Sequence, residues 1–226
     1  MRFNARGPSL CVTTACASGN HALGEAARNI RLGEAEVMLA GGGEAPIEPE
    51  GVGGFAVMKA LSRNPDAARA SRPFDRDRDG FVISEGAGML VLEEYEHARA
   101  RGADILAELI GYGNTNDAHH MTVPRPDGAQ AAVAMRRALE TGGVRPKEVD
   151  YVNAHASSTP LNDATESRTI QTVLGESAGA ITVTGTKPYY SHVLGASGEI
   201  EVTISCLTLR HGWIPPTLNF ERPGEG

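Results

Sequence analysis

The chain is poor in several things at once. Aromatic residues make up 5% of its 226 residues, with one tryptophan, and cysteine occurs three times, at positions 11, 16 and 206. Three cysteines spread this way form neither a disulfide framework nor a metal-ligand spacing, which points to a reducing compartment and away from secretion. No apolar run reaches membrane-spanning length, and the opening MRFNARGPSL has no hydrophobic signal core. Basic residues are outnumbered, 21 Lys and Arg against 28 Asp and Glu for a net charge of −7, so a general nucleic-acid binder is excluded. What remains is a 41% hydrophobic chain with 27 glycines beside strand-like segments. That is the composition of a globular domain large enough to bury a substantial core.

Leu10 to Thr14 is apolar and β-branched and predicts a short buried strand. Small residues follow, then Ala22, Leu23, Ala26, Ala27 and Ile30 at helical spacing, with Gly33 placed to end the helix. Cys16 therefore falls at a strand-to-helix elbow, where a helix N-terminus favours thiolate, and is expected to react faster than Cys11 or Cys206. A lone cysteine is otherwise read as a small buried apolar residue. Glu36–Ala40 predicts a buried strand, and the glycines after it lack the spacing of a nucleotide cradle. Gly51–Leu61 is loosely helical. In Ser62–Asp79, Asp75, Asp77 and Asp79 alternate with arginines and lack a distal Glu, so a salt-bridged loop is expected in place of a metal loop.

Further on, the patterns predict strands at Met89–Leu92, Ile105–Tyr112, Val149–Asn153, Ile181–Thr184 and an edge strand at Trp213–Leu218. Helices are predicted at Tyr95–Arg101, Gly128–Leu139, Leu161–Leu174 (capped by Asn162 or Asp163) and Leu194–Leu209. Alternating strands and helices imply an α/β fold with mostly parallel sheet. His155 follows one strand end among hydroxyls. Lys187 and His192 follow another. Each histidine alone could be a satisfied core residue; together with Cys16 they make three strand-end elbows bearing chemistry.

The motifs TACASG, GEAEVMLAGGGEAPI, ASRPFDRDRDGFVISEGAG, DAHHMT, NAHASSTPLND, TKPYYSHVLGASGEIE and IPPTLNF occur in that order. Through them the chain resembles the β-ketoacyl-[acyl-carrier-protein] synthases, elongating condensing enzymes of the KAS II type. The resemblance implies a thiolase-like layered fold (α-β-α-β-α), incomplete at both ends. Residues 1–103 would be the later part of the N-terminal half and 104–226 most of the C-terminal half. It implies that Cys16 accepts the acyl group as a thioester. His155 and His192 would act on the malonyl thioester, Lys187 would hold the site's electrostatics, and Glu166 and Glu201 would support it. Ser157 and Thr159 would bind the phosphopantetheine arm, and Lys59 and Thr122 would dock the acyl-carrier protein. No metal or organic cofactor is implied. The partners would be acyl- and malonyl-carrier protein and a second copy in a homodimer, with no nucleic acid and no membrane, in the cytoplasm or an organellar matrix. Polyketide-type ketosynthase and catalytically incompetent carrier-binding fragment are the alternatives. Ser191, where the family pattern has Gly, is expected to crowd His192.

Overall fold

The computed structural model describes residues 3–224. Along the chain lie α1 (Ser18–Arg31), β1 (Val37–Glu44), α2 (Pro49–Val57), α3 (Ala67–Ala70), β2 (Gly86–Glu93), α4 (Tyr95–Ala100) and α5 (Ala129–Gly142). Then come β3 (Tyr151–Asn153), α6 (Pro160–Leu174), β4 (Thr182–Thr184) and α7 (Ser197–His211). The chain folds into two units. One holds the residues up to Ala45 with Gly86–Leu109 and Val193–Gly212. The other holds Pro46–Glu85, Ile110–His192 and the stretch from Trp213 on.

In the first unit β1 and β2 pair antiparallel along their whole length, Val37 opposite Glu93 and Glu44 opposite Gly86. Side chains alternate across a strand, so Met38, Ala40, Leu90 and Leu92 share one face. That face packs with Leu23 and Ala26 of α1 and Val202 of α7. Val37, Leu39, Met89 and Val91 lie on the other face and are exposed. Helix α1 ends as its sequence requires, with Gly33 in the left-handed region at φ 73°.

In the second unit β3 and β4 pair parallel, Tyr151 opposite Thr182 and Asn153 opposite Thr184. Their core is Ala132 of α5 with Ile170, Val173 and Leu174 of α6, joined by Val152 and Val183 from the strands. The aspartate-rich loop is held as a hydrogen-bonded clasp. Asp75 accepts the N–H groups of Asp77, Glu221 and Arg222, and Asp79 accepts from the Ser62 hydroxyl and the Arg63 N–H.

Five expectations are corrected. Leu10–Thr14 is not a buried strand: Leu10 is exposed and no described strand pairs with the segment. The Thr14 N–H, which a ladder would need, instead donates to Ser18 Oγ at 2.8 Å. Ile105–Tyr112 forms no strand either, and its Tyr112 N–H goes to Thr141 Oγ1 at 3.1 Å. Trp213–Leu218 is likewise irregular. Pro215 and Pro216 bring no donors to a ladder, and the Pro216 carbonyl accepts from Tyr189 Oη at 2.9 Å. Helix α6 is capped by Thr159, with Pro160 in its first turn, because Asp163 is occupied elsewhere, accepting from the Phe74 N–H at 2.8 Å. The β1–β2 pair is also antiparallel where mostly parallel sheet was expected.

Candidate active site

Cys16 stands two residues before α1, half-buried, in the first unit. The elbow ahead of it is tight. Ala15 takes φ 52°, a region costly for a residue with a Cβ. The Ser18 hydroxyl fixes the turn, accepting from the Thr14 N–H at 2.8 Å and donating to the Ala15 carbonyl at 2.7 Å. Cys11 is exposed, which removes the reason for expecting it to be slow toward small alkylating agents. Burial pushes the Cys206 thiol up. Glu201 is buried on α7 in this same unit.

The second unit brings His155, Lys187, His192 and Glu166 together. His155 follows β3, and its backbone is held from both sides. Its N–H donates to Glu166 Oε1 at 2.6 Å and that of Ala156 to Oε2 at 2.8 Å. The Lys187 ammonium, 1% exposed, donates to the His155 carbonyl at 2.5 Å and lies 3.4 Å from its Nδ1. An ammonium can only donate, so Nδ1 is the acceptor and the ring proton sits on Nε2. Burial, then the charge of Lys187 and the neighbouring His192, hold the His155 pKa well below the usual imidazole range. Glu166 is driven the opposite way. Burial outweighs its two backbone N–H donors and raises its carboxyl to about 7.

His192 is 2% exposed. Its N–H donates to the Val82 carbonyl at 2.7 Å, and its own carbonyl accepts from the Ser84 N–H at 3.0 Å. The ring meets His155 edge-on at 5.3 Å and Phe81 edge-on at 5.0 Å. Burial and the Lys187 charge push its pKa down to about 3. Both imidazoles are therefore neutral at pH 7. Ser191 sits at φ 66°, consistent with a position that favours glycine.

Ser157 is buried and its hydroxyl meets that of Thr159 at 2.9 Å, while Thr159 also takes the Asn162 N–H as the α6 cap. Lys59, just past α2, and Thr122 are both exposed. Ala156, fully buried, takes φ 45°, and a Cβ on Gly185 would stand 2.4 Å from its methyl. Sequence reasoning missed Phe81 and the polar chain from Tyr190 Oη through Thr186 Oγ1 (3.0 Å) to Asn153 Oδ1 (3.3 Å). The tyrosine at i+4 from Thr186, across one turn, was the available signal.

The family described as "Beta-ketoacyl synthase, N-terminal domain" matches residues 1–98, and "Beta-ketoacyl synthase, C-terminal domain" matches residues 106–221. A mitochondrial 3-oxoacyl-[acyl-carrier-protein] synthase of Arabidopsis thaliana is 51% identical over 99% of the chain and 49% of its own length. A 3-oxoacyl-[acyl-carrier-protein] synthase 2 of Vibrio cholerae is 48% identical over 98% of the chain and 54% of its own. Among solved structures, the AntDE:AntF complex of a type II polyketide acyl-carrier protein with its hexaketide-bound ketosynthase matches with TM-score 0.96 and 43% identity. That match covers 98% of the chain and 55% of the solved one. The chain spans about half the length of the curated relatives it matches.

Proposed function

The chain belongs to the β-ketoacyl synthase family, with its thiolase-like α/β fold, and on that premise we propose that it carries the condensing centre of an elongating 3-oxoacyl-[acyl-carrier-protein] synthase. Residues 1–103 supply the nucleophile and 104–226 both histidines. The observation that carries the reading is the pair of neutral imidazoles packed edge to face, one with its Nε2–H available for donation.

Cys16 Sγ attacks the thioester carbonyl of an acyl-carrier protein, and the phosphopantetheine thiol leaves, so the acyl group rests on Cys16. Malonyl-carrier protein then binds, its arm held by Ser157 and Thr159. The Nε2–H of His155 and the His192 ring donate to the malonyl thioester oxygen as carbon dioxide leaves, and the electron pair stays as the enolate. The enolate carbon attacks the acyl-Cys16 carbonyl. The resulting oxyanion is stabilised by the Cys16 N–H, and collapse expels the Cys16 thiolate and a 3-oxoacyl-carrier protein. Neutral imidazoles suit this task, since a donor that keeps its proton stabilises the enolate without quenching it. Lys187 acts by fixing the His155 peptide and tautomer, with Glu166 and Glu201 as supporting carboxylates.

No metal or organic cofactor is needed for these steps. Lys59 and Thr122 are proposed as carrier-protein contacts, and the working assembly is proposed as a homodimer in the cytoplasm or an organellar matrix, acting without nucleic acid or membrane. Among the described residues no helix is long and apolar enough to cross a membrane. A polyketide-type ketosynthase is the second reading, supported by the likeness to the AntDE:AntF ketosynthase. The test is made on the full-length protein. H155A and H192A are expected to accept acyl groups on Cys16 yet fail to decarboxylate malonyl-carrier protein, and C16A to take no acyl group. Normal decarboxylation by either histidine variant would overturn the assignment. Release of chains that keep their keto groups through repeated condensations would select the polyketide reading.

A further inference from the structure

The turn that follows β4 carries both Lys187 and His192, and more than its backbone holds it. The Tyr189 N–H donates to the Thr186 carbonyl at 3.1 Å, and the N–H groups of Tyr190 and Ser191 both donate to the Lys187 carbonyl, at 3.1 and 2.6 Å. Over this frame runs a chain of side-chain hydrogen bonds. Tyr190 Oη meets Thr186 Oγ1 at 3.0 Å, and Thr186 Oγ1 donates to Asn153 Oδ1 at 3.3 Å. A hydroxyl has one proton, and that of Thr186 goes to Asn153, so the Tyr190 hydroxyl is the donor to Thr186.

Each member of the chain stands beside a residue of the site. Asn153 ends β3 two residues before His155, Thr186 directly precedes Lys187, and Tyr190 lies two residues before His192. Both ends of the turn are thus tied to the end of β3. Thr186 is 0% exposed. In such surroundings each hydrogen bond strengthens the next, and a lost one is not replaced by solvent. The turn also stores strain. Ser191 sits at φ 66°, a conformation that persists for a residue with a Cβ only where its neighbours over-determine it. Directly after it, the His192 N–H must reach the Val82 carbonyl at 2.7 Å. Without the tyrosine latch Ser191 can relax, and the His192 ring moves from its place 5.3 Å from that of His155.

We propose that Tyr190 is a positioning residue for the histidine pair: its hydroxyl, acting through Thr186 and Asn153, fixes the Lys187–His192 turn against the end of β3 and so sets the spacing of His155 and His192. The inference rests on the reading of these histidines as the groups that act on the malonyl thioester. The role needs no contact with substrate. It governs the geometry of two donors that must meet one oxygen, where a misplacement of about 1 Å costs on the order of a hundredfold in rate. The adjacent Tyr189 supplies the contrast. It is half exposed, and its hydroxyl donates to the Pro216 carbonyl at 2.9 Å, outside the chain that reaches Asn153.

The experiment uses the full-length protein and malonyl-carrier protein, with carbon dioxide release giving kcat and KM. Y190F should lower kcat about tenfold, with KM and the acylation of Cys16 unchanged. T186V breaks the same chain and should lower kcat as much, and Y190F/T186V should be no worse than T186V alone. T186S keeps the hydroxyl and should stay near the unmutated protein. So should Y189F, which loses a hydrogen bond of similar length on the same turn. Losses that multiply in the double variant, an unchanged kcat in folded Y190F, or an equal loss in Y189F overturns the inference. The ring-nitrogen resonances of His155 and His192 give a reading independent of turnover, and should move in Y190F and hold in Y189F. If the unmutated protein does not decarboxylate malonyl-carrier protein, the proposed function falls while these resonances still decide the inference. Unmoved signals in Y190F overturn it.

Discussion

The buried imidazole of His192 makes a stability prediction whose sign can be worked out. Its folded pKa is about 3 against an ordinary 6.5. A base with a depressed folded pKa contributes stability that is complete above the unfolded value and is lost as pH falls toward the folded one. Each pH unit well inside that window costs about 1.4 kcal/mol, and because the unfolded imidazole is half protonated at pH 6.5, His192 alone removes about 2.3 kcal/mol between pH 6.5 and 4.5. His155 shifts the same way. Glu166 opposes them, because its carboxyl, raised to about 7 from 4.5, keeps a proton in the fold that the unfolded chain has released. From these three groups, the unfolded chain holds about one net extra proton over this window. H192Q, neutral at every pH, should remove that net slope. Urea unfolding of both proteins at pH 6.5 and 4.5 measures the difference, in which other carboxylates cancel. Parallel losses in the two proteins would show that His192 is not held neutral by its surroundings.

Further expectations concern single contacts. E166Q should remove the one contribution that falls as pH rises, steepening the net gain in stability between pH 4.5 and 7 by about 3 kcal/mol, read from the pH slope of unfolding free energy. G19A forces a methyl into the Glu199 carboxyl, 1.9 Å away, and should destabilise by about 1–3 kcal/mol, seen as a lowered melting temperature. T159A removes the α6 cap and should cost about 1 kcal/mol in chemical denaturation.

Much of this was legible in the residues. The apolar spacing of Leu23, Ala26 and Ala27 and the stop at Gly33 gave α1, and His155 and His192 stood out because each follows a predicted strand end. The failures share a cause. Leu10–Thr14 and Ile105–Tyr112 are apolar enough for strands, yet a strand exists only with a ladder partner, which sequence periodicity does not reveal. Strand direction was lost for the same reason, since β1 and β2 are far apart in sequence and no hairpin turn announces their antiparallel pairing. Phe81 against His192 and Glu199 against Gly19 are tertiary meetings between distant segments. Nothing local marks an aromatic as a ring's neighbour or a helical glutamate as unpartnered.

The fit of Ala156 against Gly185 bears on how this site can evolve. The methyl of Ala156 fills the space that Gly185 leaves, so the two positions share one methyl's worth of volume. A methyl added at Gly185 first meets another at 2.4 Å, whereas glycine at 156 first relieves a left-handed backbone and opens room. The order of substitution therefore matters. A lineage can exchange the pair only by passing through the smaller residue at 156, beside the histidine that it must keep in place.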